Sequence, residues 1–308
     1  MATERRRQPA GPERIREHRR IRRLQERRRR AALRRRNALI CAAIASAVAG
    51  ATFGSGAGST QVRAVSARPP RGGLGPPRQA GRLVPWRKPV PILMYHVIAN
   101  PPPSAQLPEL FVDPKTFTAQ MEWLKRQGFV AVSLSQVYDA WFKDGGLPEK
   151  PVVLTFDDGY RGDYAYVRPT LRRLRWAGDL NLLVGNLGSE LSDQMVEQLV
   201  NDGWELDAHT ISHLDLTRMR GPQLTREVAG SREILKGRFH QPVNFFCYPA
   251  GRFNQVTVRA VRAAGYLGAT TELPGEASRD DLYRLHRIRI NGSDGVAGLK
   301  AKLNQAGV

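Results

Sequence analysis

The chain reads as an α/β protein built on a small barrel of the (β/α)7 type, closed or incomplete. Three observations predict it. From Pro91 onward, apolar strand-like runs alternate with longer amphipathic stretches, the pattern of βαβ units on a mainly parallel sheet. About seven such units fit into the remaining length. The side chains suited to chemistry follow directly on apolar runs, at the C-terminal strand ends where such sheets build their sites.

The elements follow in order. Pro91-Ile92-Leu93-Met94-Tyr95 is the first strand. Thr116 to Gln127 carries Phe117, Met121 and Leu124 at helical spacing, and Gly128 supplies a C-terminal stop. Pro151-Val152-Val153-Leu154 opens a buried strand that runs through Phe156. A helix from Arg168 to Ala177 ends at Gly178, and a strand follows from Leu180 to Val184. Ser192 caps a helix that runs to Val200, ahead of Gly203. Strands at residues 204–208 and 243–247 flank a helix from Gln223 to Lys236. A helix from Gln255 to Ala264 leads into a strand at 266–270, and Arg287 to Ile290 closes the series. There is no internal repeat.

Charge divides the chain. Its net charge is +20, yet residues 1–90 hold 23 Lys/Arg against 4 Asp/Glu, while residues 91–308 hold 25 against 24. The folded part lacks the basic footprint of a nucleic-acid-binding domain, and no nucleic-acid partner is expected. Residues 1–36 form a basic tail with 16 Arg. Residues 37–54 follow as an apolar segment, uncharged from Ala38 to Gly54 and just long enough to cross a hydrocarbon core as a helix. Residues 55–89 are a Gly/Pro/Arg-rich linker without periodicity, and residues 90–308 form the catalytic domain. Positive charge ahead of the apolar run orients the N-terminus inside, so the expectation is a bacterial membrane protein with its domain outside. The length of the basic region favours an uncleaved anchor. Small-residue patterns at Ala47-Val48-Ala49 and Ser55-Gly56-Ala57 keep a cleaved, secreted form open. The two cysteines, Cys41 and Cys247, make no disulfide framework.

Two constellations carry chemistry. Thr155-Phe156-Asp157-Asp158-Gly159-Tyr160 places adjacent carboxylates at the end of a strand. Two carboxylates so close are costly to ionise together unless a cation or a shared proton offsets the repulsion. After the strand at 204–208 comes His209-Thr210-Ile211-Ser212-His213, a plausible chelating pair. With one carboxylate the two histidines make a two-His, one-carboxylate site with open positions.

Together these motifs resemble the polysaccharide deacetylases of carbohydrate esterase family 4, the NodB-homology domain, over residues 90 to about 292. Phe246-Cys247-Tyr248-Pro249-Ala250-Gly251 is a looser third match. Leu93-Met94-Tyr95-His96 and Leu147-Pro148-Glu149-Lys150-Pro151 resemble the extracellular poly-N-acetylglucosamine deacetylase subgroup. The resemblance implies that Asp157 is the general base and that Asp158, His209 and His213 hold a divalent metal, zinc first, with cobalt or nickel as alternatives. It further implies that a backbone N–H at Ala250 helps hold the oxyanion and that His96 is the general acid. Geometry agrees on His96, which follows a strand, whereas His286 precedes one and belongs to the opposite face. The implied activity is hydrolytic removal of N-acetyl groups from an extracellular polymer of the peptidoglycan or poly-N-acetylglucosamine type, by attack of metal-bound water. An O-acetyl esterase and an inactive wall-binding domain are the alternatives.

The chain also departs from the family. Many members carry an arginine two residues before the proline of the third motif, paired with the base, and here that position is Cys247. Arg287 or Arg289 is the expected substitute partner of Asp157. Tyr160 and Tyr248 are candidates to line a sugar cleft, and Trp204 is expected to be structural. Asp207 is expected to face solvent in the pleat or to orient a histidine ring. Asp163 and Asp215 are loop residues with no expected direct role.

Overall fold

The computed structural model describes residues 82–308. The basic tail, the apolar segment and residues 55–81 of the linker lie outside the described residues. Among the described residues no helix is long and apolar enough to cross a membrane.

Seven parallel strands form the barrel: β1 (Ile92–Tyr95), β2 (Pro151–Asp158), β3 (Asp179–Leu182), β4 (Glu205–Ala208), β5 (Phe245–Cys247), β6 (Gly268–Pro274) and β7 (Leu285–Arg289). Each pairs with the next in sequence from β2 to β7, β7 pairs with β1, and β1 pairs with β2. The ring is therefore closed, the register across the closing pair running from Ile92↔Val153 to Tyr95↔Phe156. A short strand, Val130–Ala131, adds to the start of β2 outside the ring.

Among the described residues seven α-helices accompany the strands: α1 (Pro114–Arg126), α2 (Leu134–Phe142), α3 (Arg168–Leu174), α4 (Asp193–Asn201), α5 (Gly221–Phe239), α6 (Gln255–Ala263) and α7 (Gly295–Ala306). Strand alternation sorts the core. Leu154, Phe156, Leu180, Leu182, Leu206, Ala208, Phe246 and Ala269 point outward, into one cluster with Met121, Leu124, Leu171, Val196, Leu199, Val228 and Val261 of the helices. Tyr95, Phe117 and Phe156 stack edge and face within it, and Trp204 packs on Phe156 at 5.2 Å, a structural role as expected. The opposite parity lines the barrel. At its N-terminal end, Ile92, Val153, Phe245 and Leu285 form a second cluster, plugged by Leu134, Val137, Ala140 and Trp141 of α2.

The start of α2 rests on two carboxylates, Asp179 buried and Glu205 half-buried. Leu134 N donates to Asp179 at 2.7 Å, and Ser135 donates through N and Oγ to Glu205 at 2.9 and 2.6 Å. The free N–H groups and positive dipole end of a helix explain why acids are tolerated there. Asp207, one step further along β4, is fully buried and accepts from Phe245 N at 2.8 Å. It neither faces solvent nor touches a histidine ring, because its parity turns it into the barrel, where it ties β4 to β5.

Several boundaries differ from expectation. Arg175 adopts a left-handed conformation (φ 58°), so α3 stops at Leu174 rather than Ala177. A 3-10 turn at Val184–Asn186 shortens β3, and β6 starts at Gly268 and runs on to Pro274. Helices α2 and α7 were not anticipated. The first announces itself only by the Ser133/Gln136 capping box, and glycines at 295 and 298 dilute the second.

The segment before β1 runs across the N-terminal end of the barrel. Val84–Pro85 pairs with Gly146–Leu147, Val90 bonds with Ala277 in both directions, and the Arg87 guanidinium donates to the carbonyls of Ala140 and Trp141.

Candidate active site

The C-terminal ends of β1, β2, β4, β5 and β7 bring His96, Asp157, Asp158, His209, His213, Cys247 and Arg287 together. Strand parity would turn Asp158 away from the barrel axis. Instead Asp158 has φ 75° and Gly159 also has φ 75°, which re-aims the second carboxylate toward the histidines. Gly159 is required on two counts, since a Cβ there would lie 2.4 Å from Leu182 Cδ1. Asp158 O accepts from Leu183 N and from Asn186 Nδ2, which pins the turn.

The histidine loop has its own supports. Thr210 (φ 68°) and His213 (φ 53°) are both left-handed, and Thr210 Oγ1 accepts from His213 N at 3.0 Å. Glu227 of α5 accepts from Ile211 N, Ser212 N and Ser212 Oγ at 3.0, 3.0 and 2.6 Å. Strained backbone held by surrounding contacts is a common mark of functional loops. His209 places Nδ1 2.8 Å from the carbonyl oxygen of Cys247. With Nδ1–H donating there, Nε2 faces Asp158 and, once it gives up its proton, offers its lone pair to a cation.

Asp158 Oδ1 lies 3.5 Å from His209 Nε2 and 3.7 Å from His213 Nε2. Nitrogen and oxygen donors on a tetrahedral ion, at bonds of about 2.0–2.2 Å, sit roughly 3.3–3.6 Å apart, so the three donors fit one divalent cation. A second grouping, Asp157, His209 and Cys247, is as compact and fully buried. It does not suit a cation, because the Arg287 guanidinium already occupies it: Nη2 lies 3.4 Å from Cys247 Sγ and 2.8 Å from Asp157 Oδ2.

Asp157 has the arginine that the third motif lacks. Arg287 Nη1 donates to Oδ1 and Nη2 to Oδ2, both at 2.8 Å, in a fork between fully buried partners. Arg287 also donates to Thr271 O and Thr155 Oγ1. The small Cys247 side chain, 3.6 Å from Oδ2, leaves room for this approach from β7. Burial alone would raise the Asp157 pKa, but Arg287 overrides it and holds the carboxyl far below the usual range. Arg289 is not the partner, as it pairs with Glu272 at 2.7 Å. Asn181 of β3, overlooked in the sequence, donates from Nδ2 to Asp157 Oδ1 at 2.8 Å.

His96 is buried, with Nε2 3.8 Å from Asp157 Oδ2. Burial lowers its pKa, against the pull of Asp157 and Asp158. Burial also lowers His209's, yet Cys247, Asp158 and Asp157 more than offset this and raise it to about 10 when no cation is present. Ala250 sits exposed on the same rim in a left-handed turn (φ 50°). Tyr160 is half-buried, and burial together with Asp158 pushes its phenol up. Tyr248 does not line a cleft: it is fully buried, packed between Phe246 and Phe253. Its parity as the residue after Cys247 turns it into the outer core. His286 is bonded to Pro274 O, away from the other histidines. Asp215 caps the turn Leu216–Arg218. Asp163 is buried behind Asp158, where burial and the charges of Asp158 and Asp157 push its carboxyl well up, toward the neutral form.

Comparison with known proteins agrees with this picture. The family model described as polysaccharide deacetylase matches residues 144–269. YxkH of Bacillus subtilis (strain 168), whose name places it among polysaccharide deacetylases, is 34% identical over 213 residues, 68% of this chain and 73% of that one. The poly-β-1,6-N-acetyl-D-glucosamine N-deacetylase of Escherichia coli (strain K12) is 46% identical over 57 residues, covering 18% of this chain and 8% of that one. The solved structure of the Streptococcus pyogenes deacetylase PplD in complex with acetate superposes with a TM-score of 0.65 at 28% identity, over 70% of this chain and 99% of that one. The chain therefore belongs to the polysaccharide deacetylase family, carbohydrate esterase family 4.

Proposed function

We propose that the protein is a metal-dependent N-deacetylase of an extracellular N-acetylated polysaccharide. The observation that carries this is the placement of Asp157 Oδ2, bonded to Arg287 and 3.8 Å from His96 Nε2, beside a three-donor cation site. Asp158, His209 and His213 would hold the ion, and two imidazoles with one carboxylate suit zinc, with cobalt or nickel as substitutes. Such an ion supplies Lewis-acid polarisation of an amide carbonyl and a lowered pKa for water. Asp157, kept ionised by Arg287, takes a proton on Oδ2 as water adds to the acetyl carbon. The Ala250 N–H supports the developing oxyanion. His96 Nε2 gives its proton to the departing amine. Tyr160 stands at the rim for a sugar ring. The Arg-rich tail and uncharged segment 38–54 support a membrane tether with the domain outside.

The test is acetate release by the zinc-loaded chain from chito-oligomers, poly-β-1,6-N-acetylglucosamine and peptidoglycan fragments. Asp157→Asn is expected to cut turnover to a residual rate about 10²- to 10⁴-fold below wild type, the contribution of a general base, and to retain metal, whereas His209→Ala loses the metal. Loss of metal in Asp157→Asn would sink the division of roles. Release only from O-acetylated polymers would replace the amidase by an esterase, and no release at all would leave a wall-binding domain.

A further inference from the structure

We infer that Asn181 is a positioning residue that commits the base to one oxygen of its carboxylate. This rests on the reading of Asp157 as the base. A carboxylate oxygen offers two in-plane acceptor positions. At Asp157 Oδ1 both are taken, by Arg287 Nη1 and by Asn181 Nδ2, each at 2.8 Å. Oδ2 has one strong donor, Arg287 Nη2, besides the weak thiol of Cys247 at 3.6 Å. Oδ2 is also the oxygen that faces His96 Nε2. Arg287 alone, gripping both oxygens equally, would leave the carboxylate symmetric. Asn181 breaks that symmetry, and the proton from water is taken by Oδ2 on the side of the general acid.

The amide can do this because its place is fixed. Asn181 is fully buried on β3, in register with Asp157 on one side and Asp207 on the other. Its Oδ1 has no donor among the described residues, so the bond to Asp157 is the contact that orients it. A flipped amide would set its oxygen against an ionised carboxylate, which like polarity forbids. The side chain touches none of the three cation donors, so its removal should leave metal binding alone.

The experiment uses the full chain loaded with zinc. Asn181→Leu keeps the number and branching of side-chain heavy atoms and loses the donor, and kcat is expected to fall about 10- to 100-fold, the effect of one hydrogen bond to a charged group. KM and metal content stay at wild-type values. Asn181→Thr, which restores a donor, recovers part of the loss. On an Asp157→Asn background, Asn181→Leu has no further effect on residual turnover, whereas a merely structural residue would add its cost. Unimpaired kcat in Asn181→Leu, an additive effect on Asp157→Asn, or an Asn181→Thr variant no better than Asn181→Leu would overturn the role while an active wild type upheld the reading beneath it. An inactive wild type would overturn both.

Discussion

Arg287→Leu is the most informative single perturbation. The change removes a guanidinium that is wholly buried and leaves Asp157, equally buried, without a counter-ion. Breaking a buried pair from one side costs about 3–5 kcal/mol, against about 1 kcal/mol for an exposed one. With a denaturant slope of about 3 kcal/mol per M, the urea midpoint should drop by about 1–1.7 M at pH 7. The pH dependence identifies the cause. In the wild type the Asp157 pKa is depressed, so the pair's stabilisation is present above the ordinary carboxyl value of about 3.9 and is lost only as pH falls through the lower folded value. In the variant, burial, the largest influence on Asp157, outweighs the remaining pull of His96 and His209, and the pKa rises above that value. The penalty is then full at neutral pH and shrinks as acidification protonates Asp157. Urea unfolding of the metal-free chains at pH 7 and pH 5 measures it. A midpoint difference as large at pH 5 as at pH 7, or below about 0.3 M at both, would refute the assignment of Arg287 as the charge partner of a buried base.

Four further outcomes follow from the geometry. Cys247→Arg combined with Arg287→Leu should recover part of the lost turnover, because a side chain from position 247 already reaches Asp157 Oδ2; no recovery in acetate release would mean that the two positions are not interchangeable. Glu227→Gln should weaken metal binding about 10- to 100-fold with little change in saturated kcat, since it supports the histidine loop without touching the ion, and chelator competition reads it. Zinc loading near pH 7.5 should release about one proton and lose affinity as pH falls, because His209 is protonated in the ion-free site; titration heats independent of buffer ionisation enthalpy would contradict this. Gly159→Ala should cost about 1–3 kcal/mol in unfolding free energy through the clash with Leu182 and the left-handed backbone, and an unchanged melting temperature would count against it.

The sequence made the strands and the site motifs legible for a physical reason. Parallel strands buried on both faces are near-continuous apolar runs, and catalytic side chains sit where those runs end, so Val152–Phe156 and Asp157-Asp158 point to each other. What stayed hidden depended on distance along the chain. Asn181 looked like one polar residue in a strand, and Glu227 like one charge on an amphipathic helix; only their parity and packing give them partners 24 and 15 or 16 residues away. Tyr248 and Asp207 were misjudged because the strand ends and parities around them were unknown, and one residue of register separates barrel interior from outer core. Arg287 and Arg289 are inseparable in the sequence for a different reason: two residues apart, they leave the same face of β7, and only their depth along the strand sends Arg287 to Asp157 and Arg289 to Glu272.

Asp157 and its arginine are 130 residues apart, and the arginine arrives on the strand that closes the ring. The pairing of Asp157 is thereby a readout of completed assembly. A chain that has formed β1 to β6 already carries Asp158, His209 and His213, yet its Asp157 has no guanidinium to meet. β7, seated between β6 and β1, supplies it last. Displacing that one strand would strip Asp157 of its counter-ion and leave the strands bearing the other three residues in place.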